Sequence, residues 1–173
     1  FEAEHGSLGW SKHRTEIWNN VLWCLTGSDQ YAALAAVAQE VARRETTEQR
    51  RRGLAMVEAQ ARLASGDLDR ALELTRAIAN DPAAPNDARW WARCAMAEVY
   101  RQKGNWNDAV AALRAARQIL PADPSPLRSI GRLLDEQAKD KSGALEAYYA
   151  FRAAGGRDSL VERRIGELEQ TER

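Results

Sequence analysis

Any catalysis by this sequence would have to be assembled from few parts. Its cysteines are Cys24 and Cys94, and its histidines are His5 and His13. A transition-metal centre needs three or four such ligands converging at fixed spacing. The cysteines stand far apart and both histidines lie near the N-terminus, so no clustered ligand set exists. The cysteines fit buried small-hydrophobe roles, or a disulfide in an oxidising compartment. The sequence contains no Gly-rich phosphate loop and no nucleophile elbow. Paired carboxylates such as Asp67 and Asp69 fall at a helix start, where negative charge complements the helix dipole. No catalytic, cofactor-binding or metal-ligating residue is assigned. The chain reads as a non-enzyme with no cofactor and no small-molecule substrate.

Arginine and tryptophan offer binding chemistry instead. The run Arg43-Arg44-Glu45 with Arg50-Arg51-Arg52 is the one basic cluster. It could meet anionic lipid, nucleic acid or an acidic partner, or it could be an inter-helix turn neutralised by Glu45 and Glu48. Formal net charge is 0, from 25 basic and 25 acidic residues. Affinity for nucleic acid rests largely on a basic surplus, so nucleic acid is not the expected partner. The tryptophans are Trp10, Trp18, Trp23, Trp90, Trp91 and Trp106. Trp18 and Trp23, five apart, cannot share a helix face. An exposed one would suit an interface with upstream chain or with a second copy, against the alternative of core packing.

These groups must be carried by helices. Apolar residues recur at three- and four-residue steps almost throughout, and the period-two alternation of a strand is absent. Apolar residues make up 45% and charged residues 29% of 173, enough for one buried core or a short stack of repeats. Punctuation brackets about nine helices. The first runs from about Ser11 to Thr26, stopped by Gly27. Ser28 or Asp29 caps the second, to about Arg44. Thr46 and Gln49 fit a capping box for the third, which ends at Ser65. The fourth spans Leu68–Asn80, and the fifth follows Asp87 and ends at Gly104. Trp106–Leu120 is the sixth. Ser125-Pro126 opens the seventh, to about Ala138. The eighth runs Ser142–Ala154, and the ninth from Asp158 or Ser159 to about Glu169. Connections are short, so a single domain over 1–173 is expected. No run approaches the roughly 20 apolar residues that cross a bilayer. The chain opens on Phe1, not Met, which points to a piece of a longer protein or a processed form. Abundant Ala and Arg, with only Lys12, Lys103, Lys139 and Lys141 as lysines, fit a GC-rich bacterial coding bias.

Three stretches are self-similar. The first centres on Gly66-Asp67-Leu68 with Ala71, the second on Tyr100, Gly104-Asn105-Trp106 and Ala109, and the third on Asp140 and Ala144. The glycines are 38 residues apart, and the alanines 38 and then 35. A helix–turn–helix period of about 34 residues marks tetratricopeptide (TPR) repeats. Each glycine would end a helix in the left-handed conformation, Asp67 and Asn105 would cap the next, and the alanines would sit where paired helices cross. Over about Gly53–Ala154 the chain resembles the TPR family, although the third copy lacks its turn glycine.

The resemblance implies an all-α fold of antiparallel helix-pair repeats stacked as a right-handed α-solenoid. Residues 10–45 would form a divergent first pair, 47–82, 87–121 and 125–154 the repeats, and 158–171 a capping helix. The first helix of each pair would line the concave face. That places Met56, Gln60, Trp91, Glu98, Arg101, Arg128 and Arg132 in a groove suited to a peptide with an acidic group. The competing reading has Trp91 in the core and the charges paired among themselves. The positions of the family's carboxylate clamp fall on Met56, Gln60 and Ala95, so that clamp is not implied. The expected function is a protein–protein interaction module, binding another protein or a peptide segment, soluble in a bacterial cytoplasm or periplasm. The alternative is homo-oligomerisation, or a regulatory domain attached to a catalytic or membrane part elsewhere.

Overall fold

The fold is given by a computed structural model that describes residues 30–171. The first expected helix with its Gly27 stop, the Ser28 or Asp29 cap, Cys24, both histidines, Trp10, Trp18 and Trp23 lie outside the described residues. Among the described residues there are eight α-helices and no strand. They are α1 (Tyr31–Arg44), α2 (Glu48–Ala64), α3 (Leu68–Asn80), α4 (Asn86–Gln102), α5 (Trp106–Ile119), α6 (Ser125–Arg132), α7 (Lys141–Ala153) and α8 (Ser159–Thr171). A π-helical turn, Leu133–Ala138, continues α6. None of these helices is long and apolar enough to cross a membrane. The chain divides into two compact units between Leu74 and Thr75.

The turns follow from backbone sterics. Gly66 (φ +84°) and Gly104 (φ +73°) take the left-handed conformation that L side chains resist. Each is followed by an amide that reaches back to close the helix: Asp67 N–H to the Arg62 carbonyl and Asn105 N–H to the Tyr100 carbonyl, both at 2.9 Å. Where the third glycine is missing, Lys139 adopts the same conformation at φ +58°. Caps then start the next helices. Asp67 accepts from Arg70 N–H, Asn105 from Asp108 N–H and Asp140 from Gly143 N–H. Asn105→Ala should lower stability by about 1 kcal/mol. Urea unfolding of this variant beside Asn105→Asp checks the cap, because Asp keeps the acceptor; equal losses in both would remove it as the cause.

Three details depart from expectation. The Thr46–Gln49 capping box does not form. Thr47 is the N-cap residue, and the Glu45 carboxylate accepts from the amides of Thr46 (2.9 Å) and Thr47 (3.1 Å). Glu45, one residue upstream, reaches both orphan donors and is held below the ordinary carboxylate range, chiefly by the Thr47 amide. Ser125 is the first residue of α6 rather than its cap; Asp123 accepts from both its amide and its hydroxyl. The seventh expected helix changes winding at Leu133, and the Asp140 amide reaches back to the Leu134 carbonyl at 2.8 Å.

Each unit has its own core. In the first, α1 packs on α2 through Leu34, Ala35 and Ala61, with Tyr31 and Val57 at the edge. In the second, α4 pairs with α5 and α6 with α7. The expected crossing-point alanines Ala71, Ala109 and Ala144 have no exposed surface. Helix α8 closes the second unit by laying Val161, Ile165 and Leu168 against Tyr148 and Phe151. Burying each such aliphatic side chain is worth about 2 kcal/mol.

Candidate functional site

On α4, Trp90, Cys94, Ala97 and Arg101 follow one another at steps of four, three and four residues. That spacing puts them on one helix face. With Glu98 they form one wall of a groove of about 500 Å³ in the second unit. Across from them stand Arg128, Ser129 and Arg132 of α6, then Glu136 and Gln137 of the π-helical turn. Leu113 of α5 contributes apolar surface. A second hollow of about 600 Å³ shares Arg128, Arg132 and Glu136 and is bounded on its far side by Leu160, Arg163 and Arg164 of α8. Together the two hollows are lined mainly by α4, α6 and α8.

Its charges are largely paired. Arg101 binds Glu98 through two hydrogen bonds of 2.7 and 2.5 Å, and Gln102 adds a third at 3.0 Å. Arg101 is the main cause of the lowered Glu98 pKa. Arg132 lies 3.5 Å from Glu136. Arg128 crosses to Asp158 at 2.9 Å and holds that carboxyl below its usual range. Arg164 grips Asp135 with two bonds of 2.7 and 2.8 Å, the leading cause of the lowered Asp135 pKa. With Lys139 and Arg163, the two hollows carry six basic groups against four carboxylates.

The groove's other reactive groups are quiet. Burial pushes the Cys94 thiol up to about 11, so it is neutral near pH 7 and a poor nucleophile. Burial likewise raises Tyr148 to about 12. The Trp90 indole N–H is buried without an acceptor. Among the described residues no group of three or more His, Cys, Asp or Glu is placed to hold a metal ion. What the groove offers is an apolar floor with cationic edges.

Of the residues expected in a groove, Glu98, Arg101, Arg128 and Arg132 line this one together. Trp91 is half-buried and does not line this groove; its neighbour Trp90 does. Met56, half-buried, and Gln60, exposed, lie on α2 in the first unit. Sequence reasoning missed Trp90 and Cys94, although the steps from Trp90 to Arg101 signal them. It also missed Asp135 and Arg164, whose pairing spans 29 residues and leaves no local pattern. In the basic cluster Arg43 and Arg44 bind Glu40, Arg50 binds Glu45, and Arg51 binds Glu48. The chain matches no known protein-family model and no curated protein sequence.

Proposed function

We propose that this chain is a non-catalytic protein-interaction module, a TPR-like helical repeat that holds a peptide segment of a partner protein along α4, α6 and α8. The partner would belong to a larger bacterial assembly. One observation carries the reading: Glu98, Arg101, Arg128 and Arg132, named from repeat register alone, line one continuous groove. Peptide grooves of this kind take an apolar anchor on a hydrophobic floor and fix its register with charged groups at the rim. Trp90, Cys94 and Leu113 supply the floor, and the arginines supply the rim.

The test is affinity capture from the source cells with the wild-type chain beside Arg128→Ala/Arg132→Ala. Both side chains are exposed, and circular dichroism with urea unfolding checks that losing the Arg128–Asp158 tie leaves the variant folded. A partner held by wild type should bind the double variant at least tenfold more weakly, a loss of about 1.4 kcal/mol. A partner held equally by both would move the interface off the groove. Recovery of the chain alone would favour self-association.

A further inference from the structure

The four carboxylates of the groove are of two kinds. Asp135, in the π-helical turn, and Asp158, just before α8, lie on different segments from their arginines, and their side chains are only 6% and 18% exposed. They tie α6 and its π-helical turn to α8. Glu98 and Glu136 differ. Each lies three or four residues from its own arginine on the same helical segment, with side chains 37% and 53% exposed. Exposed pairs of this kind are weak and exchange readily, because water and salt screen both partners. Neither glutamate bridges two helices, so neither is needed to hold the groove's shape.

Accepting the peptide-groove reading just given, we infer that Glu98 and Glu136 are placeholder carboxylates. They occupy Arg101 and Arg132 until acidic side chains of a bound peptide replace them. The ligand class is then an acidic peptide, with Asp or Glu flanking an apolar side chain seated on the Trp90–Cys94 floor. Charge complementarity points the same way. Counting Glu167, which pairs with Arg163 and Arg164 just outside the lining, six basic groups meet five carboxylates, and once both glutamates swing aside they meet three, while the chain as a whole is neutral. An arginine fork binds a planar carboxylate with two parallel bonds, as Arg101 already binds Glu98, so the exchange conserves bond geometry.

The experiment is selection of a random dodecapeptide library on the full chain, followed by affinities of the selected peptides for variants. The expected peptides are rich in Asp and Glu around one apolar residue. Their affinity should fall at least tenfold in Arg101→Gln/Arg132→Gln. It should rise roughly threefold in Glu136→Gln, because the competitor for Arg132 is gone. Glu98→Gln should act in the same direction, and circular dichroism verifies that each variant is folded. Groove-bound peptides without acidic enrichment, or unchanged or weaker binding to Glu136→Gln, would overturn the placeholder role and leave the groove as a peptide site. No enriched peptide, or peptides indifferent to Arg128→Gln and to the arginine double variant, would overturn the groove reading together with this one.

Discussion

Gly131→Ala should destabilise the protein by about 2–3 kcal/mol, although alanine is the better helix former. Gly131 is buried in α6, and a Cβ built there would lie 2.4 Å and 2.5 Å from the Cε1 and Cδ1 atoms of Tyr148. The ring has little room to retreat. Tyr148 is 2% exposed and belongs to the cluster of Phe151, Val161, Ile165 and Leu168. Relief requires α6 to move away, which opens the core and displaces Arg128 and Arg132. The intrinsic gain of Gly→Ala in a helix is about 1 kcal/mol and offsets only part of this. Gly53→Ala is the control, since a Cβ there meets nothing within 4 Å. It should raise stability by about 0.5–1 kcal/mol. Denaturant unfolding of the two variants decides the matter. A Gly131→Ala protein as stable as wild type would mean the Tyr148 ring has another place to go.

Arg164→Ala should cost about 2 kcal/mol near neutral pH, because it strands the Asp135 carboxylate in a buried position. Arg164 is itself 42% exposed, so the loss falls short of that for a fully buried pair. The pH dependence distinguishes this from lost packing. In the native protein Arg164 lowers the Asp135 pKa below its ordinary value. Its stabilisation is therefore fully present above the unfolded-state value of about 3.9 and is lost as pH falls through the native one. Without Arg164, the buried carboxylate is relieved by protonation instead. The gap in unfolding midpoint between wild type and variant should narrow as pH falls from about 7 to about 4. A constant gap would place the effect in packing alone.

The contrast between these sites and the helices shows what the sequence reveals. Helix positions were legible because their ends are written locally. Gly66, Gly104 and Pro121 can terminate a helix whatever surrounds them, and Asn105 caps from its own position. Where two neighbouring residues could do the same job, the choice was not legible. Glu45 displaced Thr46 because a longer side chain reaches two amides, whereas Ser125 entered the helix with its amide and hydroxyl both held by Asp123. Of the seven residues expected in a groove, four line the hollow of the second unit, Trp90 stands there in place of Trp91, and Met56 and Gln60 belong to the first unit. Trp91 shares an azimuth with Glu98, whereas Trp90 shares one with Arg101, and one residue turns a helix by about 100°. Lys139 in a left-handed turn and the buried Asp135 had no sequence signal, since both depend on partners fixed by tertiary structure.

The π-helical turn has a consequence for chain length. An extra residue in an α-helix rotates everything after it by about 100° and turns a buried face towards solvent. A π turn absorbs that residue within its own wider loop and passes the following chain on without the rotation. Leu133–Ala138 thus works as an expansion joint. Asp135 within the turn faces Arg164, and the chain arrives at Asp140 able to start α7. Slack taken up in one turn lets α7 begin at Lys141 and still pack against α6.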